Sequence, residues 1–240
     1  MELHPLQDKL CLITGGSRGI GFAIAQMLLK EGARVAICGT HQKTLDSAVE
    51  RLNQLAPGKV GGKVADVKDC EQVRALFEYV DTALGGLDVL VNNAGVGRFA
   101  KISELSVEDW ATTIGTNLTG AFYCSREALL RFVTRGGGYI VNISSLAGKH
   151  PFAGGAAYNA SKFGLNGFSE ALMLDTRYDN VRVSTVAPGS VETEFGGHGA
   201  PAEWRVQPGD VAEIVRMLLC LPARTMASYV EVRPAKPPRK

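Results

Sequence analysis

The stretch from residue 9 to residue 31 limits the possible folds more than any other part of the chain. An apolar run at 9–14 passes into Thr14-Gly15-Gly16-Ser17-Arg18-Gly19-Ile20-Gly21, and that turn opens a stretch of helical periodicity at 19–31. Glycines at 15, 19 and 21 let the backbone turn tightly and approach a ligand with no Cβ in the way. The helix start adds unpaired N–H groups and the positive end of a dipole, which suit a phosphate. A glycine-rich turn alone is a weak signal, because ordinary turns use the same residues. Its place between a first strand and a first helix makes it much more specific.

The rest of the chain continues that alternation. Strand-like runs lie at 9–14, 34–39, 59–66, 87–92, 138–144, 181–187 and 228–232. Helical stretches lie between them at 19–31, 42–55, 70–84, 107–133, 157–178 and 210–219. Runs such as Leu87-Asp88-Val89-Leu90-Val91 are almost wholly apolar, as expected of strands covered on both faces. The pattern predicts an α/β fold: one Rossmann-type, doubly wound parallel sheet of about seven strands, with helices on both faces. No linker divides residues 1–240, so they are read as a single domain. A glycine-rich loop at 196–201 is expected to move, and the basic, proline-rich tail 233–240 to fray into solvent.

Composition narrows the classes. Charged residues make up 21% and the formal net charge is +2, which gives no general argument for nucleic acid or a membrane surface. No apolar run reaches spanning length, and Met1–Pro5 lacks the pattern of a signal peptide. Cys11, Cys38, Cys70, Cys124 and Cys220 are odd in number and widely spaced, so they read as reduced thiols of a cytoplasmic protein. His4, His41, His150 and His198 have no metal-ligand spacing, and no metal site is expected.

The end of the second strand normally selects the dinucleotide. A carboxylate there would bond the 2′-hydroxyl of NAD. Here it reads Cys38-Gly39-Thr40-His41. Gly39 leaves space, Thr40 and His41 offer donors, and Arg18 in the glycine turn can supply a positive charge. That set suits the 2′-phosphate of NADP(H); the plain alternative for Arg18 is a solvated surface charge. Asp66, with Val67 beside it, closes the third strand; its carboxylate suits the adenine amine or serves as a strand-end turn. Asn92-Asn93-Ala94-Gly95 after the fourth strand suits a wall against the adenosine and a tie between strands.

Tyr158 and Lys162 stand at i and i+4 in 157–178, on one helix face. A neighbouring ammonium and a nicotinium charge favour the phenolate, so the tyrosine pKa is expected to fall toward working pH. Lys162 can also bond the nicotinamide ribose. Ser145 follows the fifth strand, at the carboxyl edge where such sheets bind ligands, and its hydroxyl can hold a substrate carbonyl. Asn117 lies inside a long predicted helix, where an amide is a poor helix former, and could anchor a water relaying protons through Lys162. Each residue has a plain alternative, such as a cap or a chance spacing. Their joint occurrence beside the phosphate turn points to a group that moves a hydride and a proton.

On these residues the chain resembles a classical short-chain dehydrogenase/reductase, from Lys9 to Val232. The family's Thr-Gly-x-x-x-Gly-x-Gly falls on Thr14, Gly15, Gly19 and Gly21, and its Asn-Asn-Ala-Gly on 92–95. Its catalytic asparagine, serine, tyrosine and lysine fall on Asn117, Ser145, Tyr158 and Lys162. Its Pro-Gly turn falls on Pro188 and Gly189, which implies nicotinamide contacts for Val191 and Thr193. The layout is similar to that of 3-oxoacyl-acyl-carrier-protein reductases, a likeness too broad to fix a substrate. The resemblance implies an NADP(H)-dependent carbonyl reductase or alcohol dehydrogenase with a small-molecule carbonyl or alcohol substrate. It also implies a homo-oligomer, dimer or tetramer, built on 107–133 and 157–178. The short stretch between Thr193 and the last helix predicts a small lid. The substrate pocket is expected to be walled by 96–99, 146–152 and 191–204, where Phe99, Leu146, Phe152, Phe195 and Trp204 supply an apolar surface or in part pack in the core. The end Tyr229-Val230-Glu231-Val232-Arg233-Pro234 departs from the family's glycine-rich terminus.

Two rivals are weighed. Sugar-nucleotide epimerases and dehydratases share Tyr-x-x-x-Lys but use a different glycine spacing and a substantial C-terminal substrate region. A non-catalytic dinucleotide-binding redox sensor would be free to lose Ser145, Tyr158 or Lys162, and all are present.

Overall fold

A computed structural model describes residues 6–195 and 202–238. The expected loop at 196–201, His4, His198, the first five residues and the last two lie outside the described residues.

Seven strands form one parallel sheet: β1 (Leu10–Ile13), β2 (Arg34–Gly39), β3 (Val60–Val64), β4 (Val89–Asn92), β5 (Gly138–Ile143), β6 (Val181–Pro188) and β7 (Tyr229–Val232). Their spatial order is β3-β2-β1-β4-β5-β6-β7, with β1 against both β2 and β4. The chain therefore winds one way from β1 and the other way from β4. That reversal opens a crevice at the carboxyl ends of β1 and β4, where α/β sheets take ligands.

Each strand alternates its side chains between two cores. Cys11, Ile13, Val35, Ile37, Val89 and Val91 face one side, with α1 (Gly19–Lys30), α2 (Gln42–Leu55) and α7 (Pro208–Cys220). Leu10, Leu12, Ala36, Cys38 and Leu90 face the other, with α3 (Cys70–Leu84), α5 (Gly120–Arg135) and α6 (Ala156–Thr176). Burial on both faces explains why these strands read as continuous apolar runs.

Helix ends follow local chemistry. Asp69 caps α3, its carboxylate accepting from the N–H groups of Glu71 (2.9 Å) and Gln72 (3.2 Å). Ser106 caps α4 (Val107–Ile114) by accepting from Asp109 N at 3.0 Å. At α7, Pro208 occupies the first turn and Asp210 accepts from Gln207 N at 2.8 Å, so the helix begins ahead of the expected Asp210. α6 gives way after Thr176 to a 3₁₀ turn at Arg177–Asp179.

One expectation is corrected. The single helix read at 107–133 is two helices, α4 and α5, joined by a π-helical turn at Gly115–Thr119. Asn117 sits in that turn. Such turns widen a helix locally and mark functional sites.

Arg233, counted with the tail on the sequence, bonds Glu231 (2.8 Å) and the His150 ring (3.0 Å). All five cysteines are free. No helix among the described residues is long and apolar enough to cross a membrane.

Candidate active site

The glycine turn is tied to the neighbouring strand before any ligand arrives. Asn93, just past β4, donates its amide to Thr14 O and Gly15 O, both at 3.0 Å. The Thr14 hydroxyl accepts from Asn93 N and Ala94 N, both at 3.0 Å. Gly15 takes a φ of +63° and Gly19 one of +54°, a region that favours glycine. At Gly21 a Cβ would lie 2.4 Å from both Asn93 Nδ2 and Gly15 O, so no larger residue fits. Ile20 turns away from the crevice and packs on the core beneath α1.

At the adenosine end, a Cβ on Gly39 would lie 3.1 Å from Ser17 Oγ, so these two residues are neighbours across the β1 and β2 ends. Thr40 and His41 are exposed and bond one another at 2.9 Å. Asp66 pairs with the Lys68 ammonium (3.2 Å) and accepts from Lys68 N (3.2 Å), which is turn behaviour. Val67 is buried against Gly120. Arg18 forms an ion pair at 3.0 Å with Glu194. Glu194 lies 176 residues from Arg18, and no local pattern singles it out.

At the chemical end, α6 carries Tyr158 and Lys162 one turn apart. Lys162 is buried, donates to Ile143 O at the end of β5 (2.9 Å), and has its ammonium 5.8 Å from the Tyr158 ring centroid. Burial pushes its pKa down to about 8. Burial also raises the Tyr158 phenol above its ordinary range, with the facing Ser145 hydroxyl offsetting part of the rise. In the protein alone, desolvation of the phenolate outweighs its polar neighbours, so the ammonium by itself does not bring the expected fall of the Tyr158 pKa.

Ser145 stands between β5 and a 3₁₀ turn at Leu146–Gly148, and its Oγ accepts from Ala147 N at 3.1 Å. That bond occupies a lone pair, so the hydroxyl proton, which faces the Tyr158 oxygen here, can turn to a substrate oxygen. Asn117 is buried; its amide accepts from Val96 N (2.8 Å) and donates to Val96 O (2.9 Å) and to the Ser161 hydroxyl (3.0 Å). Its side chain thus pins the segment after β4 to α6. At Gly95 a Cβ would sit 3.4 Å from Asn117 Oδ1 and 3.9 Å from Lys162 Nζ, so Gly95 lies between the two.

The predicted substrate side is aromatic. Phe99 meets Tyr158 edge-on at 5.6 Å and Phe152 at 5.7 Å, and Phe195 meets Tyr158 at 5.6 Å. Leu146 packs over Gly189, whose N–H donates to Val232 O at 2.9 Å. The Trp204 ring has the Arg205 guanidinium 5.6 Å from its centroid. After Pro188, the last residue of β6, Ser190 takes a left-handed φ of +52° and redirects the chain. Val191 then bridges to Val206, and Thr193 comes within 3.3 Å of a Cβ placed on Gly19. Thr193, Glu194 and Phe195 thus touch, in turn, the glycine turn, Arg18 and Tyr158.

This arrangement fits a nicotinamide dinucleotide. The glycine cradle excludes side chains where a pyrophosphate would lie, no carboxylate closes β2, and the Lys162 ammonium keeps donor capacity beyond its bond to Ile143. No cluster of metal-binding side chains occurs among the described residues.

Comparison with known proteins agrees. Residues 9–203 match the short chain dehydrogenase family. A 3alpha-hydroxysteroid dehydrogenase of Mediterraneibacter gnavus is 36% identical over 236 residues, covering 94% of this chain and 93% of that protein. The crystal structure of an actinorhodin polyketide ketoreductase variant with NADPH superimposes with a TM-score of 0.87 at 33% identity, covering 95% of this chain and 96% of the other. An alcohol dehydrogenase from the archaeon Thermococcus sibiricus, complexed with 5-hydroxy-NADP, gives a TM-score of 0.89 at 30% identity, covering 98% of this chain and 100% of the other.

Proposed function

This chain belongs to the short-chain dehydrogenase/reductase family, whose members are NAD(P)-dependent oxidoreductases, and from that premise we propose an NADP(H)-dependent carbonyl reductase or alcohol dehydrogenase acting on an apolar ketone, aldehyde or 3-oxoacyl compound. The observation that carries the reading is the convergence of Tyr158, Ser145 and Lys162 on one crevice beside the glycine cradle. When bound, NADPH supplies the hydride. Tyr158 donates its proton to the carbonyl oxygen, and its raised pKa keeps it in the acid form at neutral pH. Ser145 donates its hydroxyl proton to the same oxygen and orients it. Lys162 binds the ribose and places positive charge near the phenolate that remains after transfer. Asn117 keeps the Val96 segment against α6 and supports the relay of protons to Lys162.

NADP(H) is favoured by the absence of a carboxylate at Gly39-Thr40-His41 and by Arg18, and the NADP-bound relatives support it. The aromatic wall of Phe99, Phe152 and Phe195 favours an apolar substrate. Residues 1–240 act as one domain. Phe122, Phe163 and Leu174 are exposed on α5 and α6 while Leu172 is buried, which suits a homo-oligomeric contact, dimer or tetramer. Five thiols without a disulfide suit a reducing cytoplasm.

The test is turnover of a panel of ketones, diketones, aldehydes and acyl thioesters with NADPH, by the wild type and Tyr158→Phe. The variant should lose about 10²-fold or more in turnover and keep its NADPH affinity. Near-wild-type turnover would remove Tyr158 as the acid. Activity confined to highly charged substrates would remove the apolar pocket.

A further inference from the structure

We infer that Asn159 and Asn166 are positioning residues that hold Ser145 in register with Tyr158, an inference that rests on the reading of Ser145 as the group orienting the carbonyl. Both lie on α6, seven residues apart, so two turns of helix bring them to one face. That face meets the turn bearing Ser145. Asn159 is buried and donates to Ala147 O at 2.9 Å. Asn166 donates to Gly148 O at 3.0 Å and accepts from the Ser144 hydroxyl at 2.6 Å. The chain is therefore gripped on both sides of Ser145, immediately before it and two and three residues after it.

The grip reaches the hydroxyl through the backbone. Ser145 Oγ accepts from Ala147 N, and Ser145 O accepts from Gly148 N at 2.9 Å. Asn159 and Asn166 hold the carbonyls of these same two residues. The peptide of Ala147 O carries Gly148 N, the donor to Ser145 O, and the peptide of Gly148 O carries Lys149 N, which donates to Leu146 O at 3.0 Å. Releasing either carbonyl lets its peptide rotate and loosens the 3₁₀ turn that aims Ala147 N at Oγ, so the direction of the Ser145 proton is no longer set. Simple packing of helix on turn would need only apolar contact; here amide donors are spent on single carbonyls. α6 also carries Tyr158 and Lys162, so one rigid element fixes all three groups. Asn159 also accepts from Phe152 N at 3.4 Å, which extends the grip to the pocket wall.

The test is a double-mutant cycle of Asn166→Asp and Ser145→Ala, with kcat, NADPH affinity and the pH profile of reduction as readouts. Asn166→Asp keeps the size and the acceptor for Ser144 but sets a carboxylate against Gly148 O. Alone it should lower kcat about tenfold, a small loss beside the roughly 10²-fold effect of a 1 Å misplacement, and leave NADPH affinity within about twofold. In the Ser145→Ala background the same change should alter kcat less than about twofold, because the residue it positions is gone. Loss of the Ser145 contact raises the Tyr158 pKa further, so the alkaline fall of the reduction rate should move to higher pH in both single variants. Equal factors in the two backgrounds, or an unmoved profile in Asn166→Asp, would overturn the inference while leaving Ser145 in its role. Near-wild-type turnover in Ser145→Ala would overturn that role and the inference together. If Asn166→Asp fails to bind NADPH, Asn159→Ser enters the same cycle with the same expected outcomes.

Discussion

The floor of the crevice and the strap across it are built differently. The floor is the carboxyl edge of β1, β4 and β5. There Asn93 and Thr14 join the ends of β4 and β1, and Lys162 joins α6 to the end of β5, by hydrogen bonds of 2.9–3.0 Å. The strap, Thr193-Glu194-Phe195, rests on that floor through one van der Waals contact, one ring contact and one ion pair whose partners are 70% and 80% exposed. An exposed pair of this kind contributes about 0.2–1 kcal/mol. The floor is therefore set before ligands bind, whereas the strap is held by contacts that a ligand can replace. Arg18 is where the two meet, and under the proposed NADP(H) reading a cofactor 2′-phosphate would compete with Glu194 for it.

The largest effect should come from the floor. Lys162 has its pKa lowered from 10.5 to about 8 by burial. A folded pKa below the unfolded one means the unfolded chain binds more protons between those values, so stability rises with pH through that window. The burial penalty is fully present below pH 8 and relieved toward 10.5, a change on the order of 3 kcal/mol. Lys162→Met removes it. Denaturant unfolding of both apo proteins should show the wild type gaining on the variant from pH 8 upward, other titrating groups cancelling in the difference. A flat difference would mean that Lys162 is solvated and the floor not preformed.

Arg18→Ala tests the junction. A charged hydrogen bond contributes roughly 1.5–3 kcal/mol, so NADPH should bind about ten- to a hundredfold more tightly than NADH. The variant should lose most of that gap with little change for NADH. Equal affinities in the wild type, or equal losses in the variant, would exclude this role.

The smallest effect belongs to the strap. Glu194→Gln frees Arg18, and NADPH should then bind about two- to fivefold more tightly, as expected for an exposed pair, with NADH unchanged. Weaker NADPH binding would show that Glu194 holds Arg18 in place for the phosphate and does not compete for it.

The sequence and the structure part company along the same division. Strand and helix order, the glycine turn and the Tyr158–Lys162 spacing were legible because each depends on neighbours within a few residues. The π-helical turn was only half legible: Asn117 stood out as a poor helix residue, but the widening of the helix depends on bonds to Val96 and Ser161. The burial that raises the Tyr158 pKa in the protein alone is not visible in the Tyr158–Lys162 spacing, which shows the ammonium only. Glu194 and Asn166 carried no local signal, since their partners are brought to them by the sheet. Phe99 and Phe195 come from separate segments to meet the Tyr158 ring, a proximity that the fold supplies and residue type alone only suggests.

The five free thiols fall into two sets that turn the protein into its own stopwatch. Cys70 and Cys220 are partly open to solvent, whereas Cys11, Cys38 and Cys124 are buried, with the Cys38 thiol pushed up to about 11. Thiolates are the reactive form, so a maleimide meets the first pair quickly and the other three only when the sheet opens. Cys38 is the informative one, because its carbonyl accepts from Gly16 N at 3.0 Å, within the phosphate turn. The rate at which that single sulfur is alkylated, followed by mass spectrometry, times the loosening of the cradle itself, and a bound dinucleotide should lengthen that interval before it changes any other.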